Sequence, residues 1–202
     1  MSKARLEAFS DGIFAIAITL LVLTVSQPSN YHDLGHQLAS RWPSFAAYAV
    51  SFAVIGIMWL NHHSIFSHIG QIDRGLVLCN LTLLITIAFL PYPTGVFGQA
   101  LREGSGTTVA AVFYSSTMAV NSYAWAALWL YASTNRRLLV ATFPESQRRT
   151  ATILFTIGTL AYTLAVGVAF LSPIASLVIQ GVFAVYYALD PVSRRAAKGV
   201  AG

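Results

Sequence analysis

The chain has 202 residues, of which 56% are hydrophobic and only 9% are charged. Soluble domains carry about 25% charged residues, so the composition excludes an ordinary soluble domain and indicates a protein of the lipid bilayer. The net charge is +5, but the basic residues lie at the ends of apolar segments and not among aromatic residues on a polar face, which argues against nucleic acid as a partner. The only cysteine, Cys79, excludes an intrachain disulfide and a cysteine-based metal site.

Apolar segments follow one another along the chain, and a helix that spans a bilayer needs about 20 such residues. Their apolar residues are continuous instead of alternating with polar ones, which indicates helices and not barrel strands. Pro91 and Pro93 are expected to kink or fray the far end of the third helix. We predict one all-α membrane domain over residues 1–202, with six transmembrane helices near residues 8–26, 44–61, 76–97, 108–132, 150–171 and 174–189.

Six spans would place both termini on the same side of the membrane, and the basic residues indicate which side. Cytoplasmic loops carry an excess of lysine and arginine, and only Arg41 and Arg102 fall on the predicted outer side. Both termini are therefore predicted to be cytoplasmic. The basic residues on the predicted cytoplasmic side are Lys3, Arg5, Arg74, Arg136, Arg137, Arg148, Arg149, Arg194, Arg195 and Lys198.

The first helix has too short an uncharged stretch to cross the membrane unaided. The 14 residues of 12–25 reach about 21 Å at 1.5 Å per residue, against a hydrocarbon core of about 30 Å. The helix must therefore include Ser10 and Asp11, which places a carboxylate near the membrane boundary. Such a group is by default a functional hypothesis. The alternative is that Ser10 and Asp11 cap the start of the helix.

Helical geometry sorts this segment into faces. At about 100° per residue, Leu20 and Leu23 lie within about 40° of Ile16 and Thr19 lies about 60° away, whereas Ser10 and Asp11 lie more than 100° away. Rings of bulky apolar side chains gate pores by dewetting. The apolar stripe would line such a constriction if several copies of the helix met around an axis. From spacing alone, ordinary helix packing or lipid contact is the alternative.

Residues 5–23, RLEAFSDGIFAIAITLLVL, contain the pattern R-x-x-x-F-S-D. This segment resembles the signature of the transmembrane protein 175 family, the endolysosomal potassium channels and their bacterial homologues. The family lacks the T-V-G-Y-G filter of ordinary potassium channels, which is also absent from this sequence. The resemblance implies a homotetramer of six-helix chains in the bacterial inner membrane, with potassium as the permeant ion, membrane lipid as its surroundings, no cofactor and no enzymatic activity.

The resemblance also implies roles for individual residues of the first helix. Four first helices would surround the pore, and Ile16 would form its narrowest ring. The further pore-lining positions of the family fall on Thr19, Leu20 and Leu23, which is the stripe that helical geometry identifies. Ile16, Leu20 and Leu23 are then gate and size filter, and the hydroxyl of Thr19 helps to replace the hydration of the ion.

Away from the pore, the resemblance implies that Arg5, Phe9, Ser10 and Asp11 form a packed hydrogen-bond network that holds the first helix against its neighbours. Their position on the helix, away from Ile16, is expected to agree with this role.

A second segment, residues 59–66, WLNHHSIF, is similar to the histidine-bearing end of the family's second helix. His62 and His63 there are expected to make structural hydrogen bonds with Ser10 or Asp11, with pH sensing and metal binding as the alternatives. A metal site needs three or four converging ligands, and the chain has 5 histidines, so no metal is expected.

Other functions remain open at this point. Asp11 would be the proton carrier of a proton-coupled secondary transporter. A membrane enzyme with a histidine site and a scaffolding subunit without ion flux are further alternatives. The basic group Arg136, Arg137, Arg148 and Arg149 suits anionic lipid head groups, although topology alone accounts for it.

Overall fold

A computed structural model describes residues 2–28 and 31–188 of the protein, which form a helical bundle. Short 3-10 segments occur at Leu21–Thr24 and Arg136–Leu138. The α-helices of the described residues are α1 (Lys3–Leu20), α2 (Leu34–Ala39), α3 (Trp42–Ser67), α4 (Arg74–Phe89), α5 (Pro91–Glu103), α6 (Thr107–Thr134), α7 (Glu145–Leu171) and α8 (Pro173–Ala188).

The first helix begins at Lys3 and not near residue 8. Its first turn is charged but helical, since Lys3 and Glu7 form an i,i+4 ion pair at 3.9 Å, and Leu6 is buried in the core. Ser10 and Asp11 consequently lie about two turns inside the helix. The alternative interpretation, that they cap its start, is therefore wrong.

The predicted third helix, residues 76–97, is divided in two. Pro91 has no N–H to donate to the preceding turn, and α4 ends at Phe89 while α5 begins at Pro91. The expectation of a disturbance at the prolines is correct, but the helical path continues as far as Glu103. Gly104 then ends α5 with a φ of 65°, a left-handed conformation that glycine adopts without strain.

Four helical stretches of the described residues are long and apolar enough to cross a membrane: Lys3–Thr24, Trp42–Ser67, Arg74–Glu103 and Glu145–Leu171. By length and apolarity these residues support four membrane-spanning helices, and the predicted number of six is not confirmed. With 28 residues, α6 is about 42 Å long, but it carries several buried polar residues, some of which bond to other helices. Asn121 on this helix donates to Thr86 Oγ1 at 2.7 Å, and Gln180 donates to Ser115 Oγ at 2.9 Å.

The chain links two of its loops at one end of the bundle. Gly70 N donates to Leu138 O at 2.8 Å, and Val140 N donates to His68 O at 2.9 Å. This end also holds the start of α7, since Trp129 Nε1 donates to Thr152 Oγ1 at 3.0 Å. At the far end, α5 packs against the start of α3. The predicted end of the sixth helix at residue 189 and the basic residues Arg194, Arg195 and Lys198 lie outside the described residues.

Candidate functional site

The face of α1 that carries Ile16 is uncovered in a single chain. Ile16 is 55% exposed, Leu20 is 42% exposed and Leu23 is 76% exposed, and other large apolar side chains on the outside of the bundle, such as Ile85 and Leu164, are exposed to a similar degree. The opposite face packs into the bundle and buries one residue per turn at helical spacing. The buried residues of this helix are Leu6, Ser10, Phe14 and Ala17.

Thr19 is the polar side chain beside this exposed stripe. Its hydroxyl donates to the carbonyl oxygen of Ile16 at 2.9 Å. Because the proton of the hydroxyl is used inside the helix, the lone pairs of Oγ1 are directed away from that bond. Thr19 is exposed, so its Oγ1 can still accept a hydrogen bond there.

A buried chain of hydrogen bonds fixes the other face of α1. Ser10 Oγ donates to Leu6 O at 2.8 Å, so it can only accept from Asn80 Nδ2, which lies 2.9 Å away. The amide of Asn80 then turns its Oδ1 toward His62 Nε2 at 2.9 Å. The network thus assigns the ring proton of His62 to Nε2. Ser10, Asn80 and His62 join α1, α4 and α3.

Aromatic rings surround the imidazole of His62. Phe66 stacks on it with ring centroids 4.2 Å apart, and Phe14 meets its edge at 5.4 Å. Trp125 approaches at 6.2 Å. The imidazole is thus buried among apolar rings and hydrogen-bonded to one neutral amide.

Asp11 has a separate partner. Its Oδ1 accepts from Trp59 Nε1 at 2.8 Å, which joins α1 to α3 beside the buried chain. Trp59 was not among the predicted site residues, although it opens the segment of residues 59–66. The distance of 48 residues between the partners is the reason that sequence periodicity gives no sign of this bond.

Arg5 and Phe9 do not belong to either set of contacts within one chain. Both are exposed, and Arg5 makes no hydrogen bond or ion pair with the described residues of its own chain. They lie 11 and 7 residues before Ile16, which puts both within about 20° of it on the helix. The expectation that all four signature residues point away from Ile16 is wrong for these two.

Of the two predicted histidines, His62 touches the first helix through the ring of Phe14 and bonds to Asn80, not directly to Ser10 or Asp11 as expected. His63 is exposed. Across residues 2–28 and 31–188, histidine, cysteine, aspartate and glutamate side chains form no group of three that could hold a metal ion.

A potassium channel of Streptomyces collinus is 43% identical to this chain over 192 residues, which are 94% of this chain and 93% of the relative. The family model described as "Endosomal/lysosomal potassium channel TMEM175" matches residues 5–91. This chain belongs to the TMEM175 family. The matched region contains the exposed stripe, the buried hydrogen-bond chain and the bond between Asp11 and Trp59.

A solved structure has the same fold. It is a lysosomal potassium-selective channel TMEM175 homolog from Chamaesiphon minutus, which superposes with a TM-score of 0.81 at 34% identity and covers 93% of this chain and 97% of its own. The human relative is described as an endosomal/lysosomal proton channel, TMEM175, and is 38% identical over 116 residues, which are 51% of this chain and 23% of the relative. The protein is thus an all-α membrane protein with the fold of a TMEM175 channel.

Proposed function

We propose that this protein is a homotetrameric, potassium-selective cation channel whose pore is lined by α1 from each subunit. The observation that carries the proposal is the exposed stripe of Ile16, Leu20 and Leu23 on a helix whose other face is fixed in the bundle. Copies of this face that meet around an axis would enclose a narrow apolar path.

In this proposal the constriction replaces a filter of carbonyl groups. Ile16 forms the narrowest ring, and Leu20 and Leu23 continue it along the helix. Narrow apolar rings stay dry until an ion and its remaining water can be accommodated, so they act as both gate and size filter. Thr19 supplies an oxygen where hydration is partly lost, because its lone pairs are directed away from its bond to Ile16 O.

The flux in this proposal is passive and is driven by the membrane potential and the potassium gradient. The unequal distribution of basic residues supports cytoplasmic termini, and the names of the bacterial relatives support potassium as the permeant ion. No cofactor is part of the proposal, and the cytoplasmic membrane of a bacterium is the proposed location.

A flux assay in liposomes tests the constriction. Ile16→Asn places a polar group in the apolar ring and should raise the potassium flux or weaken the selectivity against sodium. Ile157→Asn is a matched control, since Ile157 on α7 is 56% exposed, close to the 55% of Ile16. Equal flux and selectivity in wild type and Ile16→Asn would overturn the assignment of the pore.

Cross-linking tests the assembly independently of flux. In a Cys79→Ser background, Leu23→Cys should form disulfides between subunits on mild oxidation, because the proposed rings bring the four copies together. Leu164→Cys, exposed on α7, should cross-link much less. Native mass measurement should give four chains, and a monomer in a lipid environment would overturn the proposal.

The human relative, described as a proton channel, gives one reason to keep a second candidate. A proton-coupled transporter that uses Asp11 as the carrier should show uptake driven by a pH gradient and abolished by Asp11→Asn. A channel should instead carry potassium current at equal pH on both sides.

A further inference from the structure

Apart from the pore face, the structure has a cleft of about 120 Å³ between α3, α6 and α7. It is partly open to the surface of the chain, and it extends along α7 from Ala151 to Tyr162, a length of about 16 Å at 1.5 Å per residue. Its walls are mostly apolar and aromatic. They include Val54, Ile65, Trp125, Trp129, Leu154 and Phe155.

The apolar walls of the cleft make water an unstable occupant of most of its length. An elongated space with apolar walls offers few of the hydrogen bonds that a buried water needs, and an empty space forfeits the dispersion contacts of its walls. In a membrane protein the hydrocarbon chains of lipid are the apolar molecules at hand.

One polar group in the cleft points to a ligand with a polar end. Asn61 lines the cleft, and its carboxamide has no hydrogen-bond partner within residues 2–28 and 31–188. It lies six residues before Ser67, the last residue of α3, or about 9 Å along the helix. With 26 residues, α3 is about 39 Å long; centred on a hydrocarbon core of about 30 Å, it would place Asn61 about 5 Å inside the boundary, within reach of an ester carbonyl of a phospholipid.

Positive charge lies at the same end of the cleft. Glu145 is shared by Arg136, Arg148 and Arg149, at 3.3, 2.5 and 3.4 Å. One carboxylate cannot neutralise three guanidinium groups, so this arginine cluster keeps an excess of two positive charges. The arginine cluster adjoins the cleft, because Ala151, three residues after Arg148 on α7, lines the wall of the cleft.

We propose that this cleft binds an anionic phospholipid of the surrounding bilayer. One acyl chain lies along α7 in the cleft, the carboxamide of Asn61 meets an ester group, and the arginine cluster holds the phosphate and the rest of the anionic head group. Arginine suits phosphate because its fork of N–H groups makes paired hydrogen bonds.

Tryptophan fluorescence provides the test, because Trp125 and Trp129 line the cleft. The full chain with Trp42→Phe and Trp59→Phe retains these two reporters and is reconstituted with lipids that carry bromine on their acyl chains. Brominated phosphatidylglycerol should quench the fluorescence at a lower lipid fraction than brominated phosphatidylcholine. Equal quenching by the two lipids would overturn the preference for an anionic head group.

Two substitutions separate the acyl site from the head-group site. Gly158→Leu places a side chain into the cleft and should reduce quenching by both lipids. Arg148→Gln, on the same face of α7 as Ala151 and Phe155, should reduce the preference for the anionic lipid about fivefold, the value of one basic group near the membrane surface. Arg102→Gln, at the other end of the bundle, should leave the preference unchanged.

Two results would contradict the proposal. If neither lipid quenches the reporters, the cleft is filled by protein and holds no acyl chain. If brominated lipid quenches the fluorescence of Gly158→Leu as much as that of the parent, while gel filtration shows the same assembly, the quenching lipid lies elsewhere on the surface.

Discussion

His62 Nε2 and Asn80 Oδ1 lie 2.9 Å apart in the buried layer between α3 and α4, and the amide nitrogen of Asn80 reaches Ser10 Oγ on α1. Asn80 therefore satisfies a polar group on each of two neighbouring helices. The exposed face of α1 that carries Ile16 is held in place from behind by this amide, because Ser10 lies on the buried side of the same helix.

Asn80→Ala should destabilise the protein by about 2 to 4 kcal/mol. The substitution leaves the Nε2–H of His62 without an acceptor, which costs about 1 to 3 kcal/mol. It also removes the bond that Ser10 Oγ accepts, worth about 1 kcal/mol, although Ser10 still donates to Leu6 O. The measurement is the free energy of unfolding in mixed micelles. Gln99→Ala is the control, since Gln99 bonds to Glu103 on an exposed surface and should change the free energy by less than about 0.5 kcal/mol. Equal losses in the two variants would contradict the role of Asn80.

The shared face of Ile16, Leu20 and Leu23 could be predicted from the sequence because it depends on local geometry alone. Ile16, Leu20 and Leu23 share a side at 100° per residue whatever the helix packs against. The start of α1 was misplaced because the apolar run begins after charged residues, whereas an i,i+4 pair between Lys3 and Glu7 continues the helix through them.

The buried hydrogen-bond chain could be predicted only in part. Ser10 and Asn80 are separated by 70 residues, and their contact depends on how α1 and α4 cross, which no periodicity records. The sequence marks Asn80 as a polar residue inside an apolar helix, a pattern typical of interhelical bonds, but it does not name the partners. The same reason applies to Asp11 and Trp59.

A double-mutant cycle should detect the bond between Asp11 and Trp59. A hydrogen bond to a charged group contributes about 1.5 to 3 kcal/mol, and exposure in the single chain lowers this, so we expect a coupling free energy of about 1 kcal/mol between Asp11→Ala and Trp59→Phe. The measurement is unfolding in mixed micelles. The control cycle combines Asp11→Ala with Trp42→Phe at the opposite end of α3 and should give no coupling. Additive effects in the first cycle would contradict the bond.

Thr19→Val should lower the selectivity for potassium over sodium in reconstituted channels. Valine keeps the shape of threonine but removes the hydroxyl, whose lone pairs are directed away from its bond to Ile16 O, so a partly dehydrated ion would lose a ligand. Thr19→Ser keeps the hydroxyl and should retain most of the selectivity. The measurement is the reversal potential with potassium on one side and sodium on the other. If valine and serine variants share the wild-type value, the hydroxyl does not contact the ion.

Asp73 should make the stability depend on pH in the acid range. The backbone N–H of Leu76 donates to Asp73 Oδ1 at 2.9 Å, and this bond is the main cause that lowers the pKa of the Asp73 carboxyl below its ordinary value of 3.8. Tyr131 and Arg137 lower this pKa further. Because the folded pKa is the lower one, the carboxylate stabilises the folded state fully above pH 3.8 and loses this effect as the pH falls through the folded pKa.

Asp73→Asn tests this pH dependence, since asparagine still caps a helix but does not ionise. The wild type should be more stable than Asp73→Asn near neutral pH, and the difference should shrink as the pH falls below 3.8. Arg137→Gln removes a smaller cause of the shift and should keep most of the pH dependence. The measurement is the free energy of unfolding in mixed micelles across this range. A constant difference between wild type and Asp73→Asn down to the lowest pH would contradict the prediction, because it would mean that the carboxyl has the same pKa in the folded and unfolded states.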